Sequence, residues 1–190
     1  PFRLNHINLF ALNTEDGWLL LDCGINAESN VVQWSTILAQ LVTRKPIAGI
    51  IVSHHHADHV GYAGALAAKT GTPIFMGARE YEETSLLLGY SDKEAADISS
   101  RAYVNFGLGS ITINSRQDRG NYFRTLVADL PEVKIVEKGH IFATIAGGWE
   151  VRFDAGHSPG HMSLVDHARH LYVGVDFLLP RISPNISVAL

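Results

Sequence analysis

The stretch SHHHADHVG, residues 53–61, places four histidines and one aspartate within six consecutive positions. The chain of 190 residues has only ten histidines, so this concentration is the most distinctive feature of the sequence. It directly follows PIAGIIV (46–52), a β-branched run typical of a buried strand. We therefore expect the histidines on a strand-to-helix connection at a sheet edge, where a rigid scaffold often holds reactive side chains.

The order of residues in this stretch predicts two adjacent metal sites. His54 and His56 are two positions apart and point the same way in an extended segment. Asp58 and His59 then open a helix, and the change of direction brings this second pair beside the first. Imidazole and carboxylate together suit zinc, iron or manganese, whereas no cysteine lies near enough for a structural zinc finger. The competing interpretation, a polar loop of surface histidines, does not account for this ordered spacing.

Two later segments offer further ligands. DAGHSPGHMSL (154–164) predicts a tight turn after a strand, and this turn carries His157 and His161. LYVGVDFLL (171–179) places Asp176 at the end of an apolar strand. An unpaired carboxylate at the end of a buried run is unfavourable, and a bridging position between two cations would remove that cost. A solvent-exposed strand end or a helix cap is the alternative for Asp176.

The alternation of strand and helix patterns in the first half predicts an α/β layered domain. Residues 17–24, 46–53 and 72–76 have the pattern of buried strands, and 30–42 and 58–71 have that of helices.

The middle of the chain, residues 78 to about 132, is predicted to be a helical insertion within a single domain spanning 1–190. Ser91 and Glu94 fit a capping box, and Gly107 fits a helix stop. After residue 133 the pattern returns to strands, at VKIVE, HIFAT, WEVRFDA, MSLVD and HLYVGVDFLL.

Composition sets broad limits on function. Hydrophobic residues make up 46% of the chain and charged residues 18%, as in ordinary globular proteins, and no apolar run approaches the length of a membrane span. The net charge of -4 gives no general support for nucleic-acid binding, so we expect none, and no membrane association either. Cys23 stands alone, which excludes an internal disulfide and favours a cytoplasmic protein. The oligomeric state is left open.

Three motifs together, HxHxDH at 54–59, HSPGH at 157–161 and GVD at 174–176, resemble the metallo-β-lactamase fold superfamily of metal-dependent hydrolases. LLLDCG (19–24) resembles its early strand motif, which usually ends in Asp-Thr-Gly, with Cys23 in place of the threonine. The resemblance implies a four-layer αββα sandwich with metals at one edge between the sheets.

The resemblance also implies a role for each polar residue of these motifs. It implies a first metal on His54, His56 and His157, a second on Asp58 and His59, and a bridging carboxylate, Asp176. Asp22 and His161 are not expected as ligands but as groups that orient ligands or stabilise the turn. Asp58 is also the expected catalytic residue, orienting the nucleophile or carrying its proton.

The histidine set resembles glyoxalase II and its relatives more than the zinc β-lactamases that place a cysteine in the second site. VDFLLPRISPNIS (175–187) also resembles a group of uncharacterised, glyoxalase-II-like bacterial hydrolases. The family normally supplies one more histidine to the second metal, well after the bridging aspartate. Only residues 177–190 follow Asp176, and none is His. We therefore expect a fragment lacking its C-terminal helices, with His167 and His170 as the less favoured substitutes.

Two bound ions, most simply Zn²⁺ although iron or manganese also fits, hold a hydroxide at neutral pH. The expected activity is hydrolysis of a small acyl substrate (a thioester, ester or lactone) in a pocket lined by the helical region. A nuclease or phosphodiesterase of the same fold, an iron-dependent sulfur dioxygenase-type enzyme and a non-catalytic metal-binding module remain alternatives. The sparse Lys and Arg of the insertion favour the acyl substrate over a nucleic acid.

Overall fold

The first sheet of the computed structural model, which describes residues 7–105, 107, 120–179 and 183–184, contains five strands. In spatial order these are β1 (Phe10–Asn13), β2 (Trp18–Leu21), β3 (Ile47–Val52), β4 (Ile74–Gly77) and β5 (Val133–Val136). β1 pairs antiparallel with β2, and all other pairs are parallel. The β2, β3 and β4 strands therefore end at the same edge, as their buried apolar runs predict.

The second sheet contains four strands that follow one another along the chain. They are β6 (Ile141–Thr144), β7 (Gly147–Phe153), β8 (Met162–Asp166) and β9 (Leu171–Val173), all paired antiparallel. The backbone N–H of Met162, at the start of β8, donates to the carbonyl of Ser53, just after β3, at 2.9 Å. This bond joins the two sheets at the edge where the predicted metal ligands lie.

Six helices complete the described structure. They are α1 (Glu28–Val42), α2 (Ala57–Val60), α3 (Ala63–Thr70), α4 (Ala78–Gly89), α5 (Asp92–Asn105) and α6 (Tyr122–Leu126). The capping box is confirmed, since Ser91 N–H donates to Glu94 at 2.8 Å and Glu94 N–H to the Ser91 hydroxyl at 3.3 Å. Gly107 has a φ of +73° just past α5, as expected of a helix stop. Residues 106 and 108–119 of the predicted insertion lie outside the described residues.

The single helix expected over 58–71 is wrong, because the chain breaks it into α2 and α3. At the break, Tyr62 N–H donates to the carbonyl of Gly24, and the carbonyl of Gly61 accepts from Ala128. A Cβ on Gly61 would lie 2.6 Å from the carbonyl oxygen of Leu126, so only glycine permits this close approach.

Two apolar cores lie on either side of the first sheet. One packs α1 and α3 against that sheet, with Trp34, Ile50 and Leu66 fully or nearly buried. The other fills the space between the sheets, with Ile51 and Val151 among its fully buried members. The layers are thus helices, sheet and sheet. In the part of the chain that the structure describes, no helix follows β9, so the fourth layer of the expected αββα sandwich is not among these residues.

Asp176 does not end a strand, which corrects the expectation from the sequence. β9 stops at Val173, and Phe177 N–H donates to the carbonyl of Gly174 in a turn. Val175 has a φ of +46°, a conformation that a strand cannot contain. The turn carries Asp176 away from the sheet and towards the histidines. Within the described ranges, no helix is both long enough and apolar enough to cross a membrane.

Candidate metal centre

The predicted site residues come together where several connections meet at one sheet edge. Asp22 follows β2, His54 and His56 follow β3, His157 lies in the turn between β7 and β8, and Asp176 lies in the turn after β9. The β7–β8 turn is closed by a hydrogen bond from Asp154 N–H to the carbonyl of His161 at 2.8 Å. The sequence motifs are thus assembled by the ends of the strands that carry them.

A first cluster consists of three imidazole nitrogens. His54 Nε2 lies 3.0 Å from His56 Nδ1, which lies 3.0 Å from His157 Nε2, and the third side of the triangle measures 3.2 Å. Nitrogens about 2.0–2.1 Å from a tetrahedral zinc ion are about 3.3–3.4 Å apart. The triangle therefore nearly matches three ligand positions around one such ion.

A second cluster brings together His54, His59 and Asp176, whose ligand atoms all lie within 4.8 Å of one another. Asp176 Oδ2 is 3.5 Å from His59 Nε2 and 3.6 Å from His157 Nε2, so this carboxylate lies between the two clusters. Asp58 Oδ2 is 3.9 Å from His59 Nε2. Asp58 lies beside the second cluster but is not a member of it, and the ligand roles of Asp58 and Asp176 stay predictions.

Asp22 fixes the tautomers of histidines in both clusters. Its carboxylate accepts hydrogen bonds from Ser53 N–H and the Ser53 hydroxyl, both at 2.8 Å, and from His59 Nδ1 at 2.9 Å. Since the Ser53 hydroxyl donates to Asp22, its oxygen must accept from His54 Nδ1 at 2.9 Å. Both imidazoles are protonated on Nδ1, which directs Nε2 towards the clusters. These hydrogen bonds are those that a group orienting metal ligands would make, and the orienting role of Asp22 stays a prediction.

The electrostatics of the two clusters differ. Burial and then the neighbouring His55, His157 and His59 lower the pKa of His56 to about 3, so this imidazole stays neutral, as a ligand must be. Burial would also lower the pKa of His59, but Asp22, Asp176 and Asp58 outweigh it and raise that pKa to about 10. Carboxylates that hold a proton on His59 also favour a metal cation there.

His161 has a less defined place. Its ring lies 4.9 Å from that of His54 and 6.1 Å from that of Phe177, and it is fully buried. Neither of its ring nitrogens has a hydrogen-bond partner among the described residues. Burial lowers its pKa to about 4. The ring therefore packs behind the clusters as a neutral group, and its expected orienting role stays a prediction.

The two less favoured substitutes for the last ligand lie elsewhere. His167 is exposed and pairs with Glu150 at 2.7 Å. His170 lies in the turn before β9, with a φ of +54°. Neither belongs to a cluster of potential ligands in the described structure.

The sequence analysis missed a buried carboxylate on α4, Glu80. It accepts hydrogen bonds from the loop that carries His54 and His56 and from the turn that carries His157. Burial would raise its pKa, but hydrogen bonds from His55 and Ser158 lower it to about 2. Its sequence signal is only a glutamate in the first turn of a helix, which is common on surfaces. Its main partner, His55, is the one histidine of residues 54–59 without an expected ligand role.

The chain resembles a known protein family over nearly its whole length. The profile described as "Metallo-beta-lactamase superfamily" matches residues 3–189. The exodeoxyribonuclease WalJ of Streptococcus pneumoniae is 24% identical over 148 residues, which are 74% of this chain and 53% of WalJ. The chain therefore spans about half the length of this curated relative.

Solved structures give the same picture. A beta-lactamase domain protein from Burkholderia ambifaria superposes with a TM-score of 0.78 and 28% identity, covering 99% of this chain and 55% of that one. TTHA1623 in a di-iron-bound form superposes with a TM-score of 0.60 and 22% identity, covering 97% of this chain and 75% of its own. TTHA1623 shares the fold of this chain, and the two iron ions are bound by TTHA1623.

Proposed function

The chain belongs to the metallo-beta-lactamase superfamily, and from this premise we propose that it is a metal-dependent hydrolase of a small acyl substrate, a thioester, an ester or a lactone. The observation that carries the proposal is the triangle of imidazole nitrogens, 3.0–3.2 Å on each side, beside a carboxylate that approaches His59 and His157 at 3.5 and 3.6 Å. When bound, a pair of ions supplies an activated water near neutral pH and polarises the carbonyl under attack.

The protein's own groups have distinct tasks in this reaction. The imidazoles of His54, His56 and His157 would hold the first ion, and the carboxylate of Asp176 would help to hold both ions. Asp58 is the proton carrier: its side chain is 26% exposed, whereas that of His59 is 1% exposed. A carboxylate at the solvent side of the clusters can take the proton of the attacking water and deliver it to the leaving group.

The choice of an acyl substrate is supported by the charges of α4, the helix that contacts both ligand loops. Its single cation, Arg79, pairs with Glu82 at 3.5 Å and Glu83 at 3.0 Å. Polyanionic substrates need unpaired Lys and Arg along their path. A helix of this composition suits a small substrate better than a phosphodiester backbone.

A nuclease is the second candidate, because WalJ is named an exodeoxyribonuclease. An iron-dependent redox enzyme is the third, because TTHA1623 binds two iron ions. Elemental analysis of the purified protein separates zinc from iron. A panel of thioester, lactone and phosphodiester substrates together with single-stranded DNA separates the two hydrolytic activities.

The decisive experiment applies this panel to the metal-loaded protein and to the Asp58→Asn variant. We expect acyl hydrolysis by the wild type, its loss in Asp58→Asn with the metal of the first cluster retained, and no degradation of DNA. Turnover of DNA without acyl hydrolysis would replace the proposal by the nuclease. Full acyl hydrolysis by Asp58→Asn would refute the role of Asp58.

A further inference from the structure

The buried carboxylate of Glu80 joins the two loops that carry the first cluster. One of its oxygens, Oε2, accepts from His55 N–H at 2.8 Å and from His55 Nδ1 at 2.6 Å. The other, Oε1, accepts from the Ser158 hydroxyl at 2.8 Å and from Gly160 N–H at 2.5 Å. Each oxygen therefore serves a different loop, and the loops are about a hundred residues apart in the chain.

The position of these contacts matters more than their number. His55 lies between the cluster residues His54 and His56, and its side chain alternates to the other face of the segment, towards Glu80. Ser158 directly follows His157. Glu80 therefore holds the immediate chain neighbours of all three imidazoles of the first cluster.

The contacts also leave little freedom for movement. Glu80 is fully buried, and His55 and Ser158 are 2% and 4% exposed. A buried carboxylate without partners is strongly unfavourable, so the four donors must stay in place around it. A Cβ on Gly160 would lie 2.8 Å from Cβ of Arg79, which shows how closely α4 packs on the turn.

We propose that Glu80 is a positioning residue that holds the His54–His56 segment and His157 at the mutual distance that one metal ion requires. It touches no ligand nitrogen of the cluster and acts through His55 and Ser158. The inference rests on the proposed function, because it assumes that the first cluster binds a metal.

The substitution Glu80→Gln separates this role from simple packing. Glutamine has the same shape, but it offers one oxygen and one NH₂ group where Glu80 offers two oxygens. Whichever way the amide turns, its NH₂ faces the backbone N–H of either His55 or Gly160, and that N–H loses its acceptor. The Ser158 hydroxyl and His55 Nδ1 can each become acceptors, so the certain loss is one backbone hydrogen bond in one of the two loops. Glu82→Gln makes the same chemical change on the exposed side of the same helix, where the side chain is 65% exposed, and is the matched control.

Two measurements test the proposal on the full chain. The affinity for Zn²⁺ is measured by competition with a chromogenic chelator, and Co²⁺ absorption reports whether the ion is tetrahedral. Protection of the His55 and Gly160 amides from hydrogen exchange is measured by NMR on metal-free protein. We expect Glu80→Gln to lose about 10- to 100-fold in zinc affinity, the usual effect of removing a group that orients ligands. It should also lose protection at one of the two amides, and Glu82→Gln should match the wild type in both measurements.

A folded Glu80→Gln with wild-type zinc affinity and both amides protected would overturn the proposal. If that variant does not fold, Ser158→Ala carries the test, because it removes one bond on the His157 side only. We then expect a measurable loss of zinc affinity, up to about tenfold, and unchanged affinity would overturn the proposal. A wild type that takes up no zinc would refute the proposed metal site itself, whereas zinc binding unaffected by Glu80→Gln would refute the role of Glu80 alone.

Discussion

The substitution Asp22→Asn tests whether the buried carboxylate controls the protonation of the ligands. In the wild type, His59 Nδ1 donates to Asp22 at 2.9 Å and Nε2 is directed towards Asp176. The asparagine amide places an NH₂ group at one of the two carboxylate positions. If that group faces His59, Nδ1 must become the acceptor, and the neutral ring then carries its proton on Nε2.

The expected magnitude follows from this change of tautomer. In the wild type, loss of one proton from His59 leaves the other on Nδ1, facing Asp22, and frees Nε2 for a metal. In the variant the remaining proton stays on Nε2, so binding through that atom also requires the less favourable tautomer. Loss of a partner that orients a histidine ligand costs about 10- to 100-fold in metal affinity, or about 1.4–2.7 kcal/mol. Folding should also suffer, because a hydrogen bond to a charged acceptor contributes about 1.5–3 kcal/mol and at least one is lost from a residue that is 1% exposed.

Calorimetric titration of metal-free protein with Zn²⁺ gives the affinity, and urea unfolding gives the free energy of unfolding. Asp16→Asn changes the same charge in the exposed turn between β1 and β2 and is the control. Zinc affinity of Asp22→Asn within twofold of the wild type would refute the reasoning, even if the variant is less stable. A loss of stability alone would mean that Asp22 supports the fold without setting the tautomers.

Four further predictions concern the clusters themselves. His56→Ala should remove most of the metal bound at the first cluster, because two of the three sides of the nitrogen triangle end on Nδ1 of His56; unchanged metal content by elemental analysis would contradict this. Asp176→Ala should reduce turnover far more than it reduces thermal stability, since its carboxylate lies between the clusters; full turnover with two bound ions would show that it does not bridge them. The second cluster has only one imidazole that the first does not share, so it should bind its ion more weakly. Titration of the metal-free protein with Zn²⁺ should therefore show two different affinities, and two equal affinities would contradict this. In the folded protein the pKa of His56 is about 3, below its usual 6.5, so the stability that the neutral ring provides above pH 6.5 is lost as the pH falls towards 3. In metal-free His56→Gln, the free energy of unfolding in urea should therefore decrease less between pH 6.5 and pH 3 than in the wild type. An equal decrease in both proteins would count against the lowered pKa.

The site residues that could be predicted from the sequence are those that lie close together in short segments. The spacing of His54, His56, Asp58 and His59 after a buried strand contains both the ligand types and the geometry that presents them. The turn bearing His157 is equally local. The placement of strands and of the capping box at Ser91 followed from periodicity and from residue types that act within a few positions.

The parts that escaped prediction depend on contacts between distant segments. Glu80 meets His55 across 25 positions and Gly160 across 80, and no periodic pattern marks such a pairing. The break between α2 and α3 also arises from distant backbone partners, Gly24 and Ala128, rather than from a helix-breaking sequence alone. The position of Asp176 was assigned to a strand because its apolar neighbours resemble one, whereas a positive φ at Val175 turns the chain out of the sheet.

The raised pKa of His59 implies that a proton would compete with any cation for the second cluster. With that pKa at about 10, the ring carries an extra proton at neutral pH in the metal-free protein, held between Asp22 and Asp176. An ion that binds through Nε2 must expel this proton into solution. If this cluster binds an ion, its apparent affinity would rise about tenfold for each pH unit up to the pKa of His59. Acidification would then displace the ion, so the pH would set how many ions the protein holds.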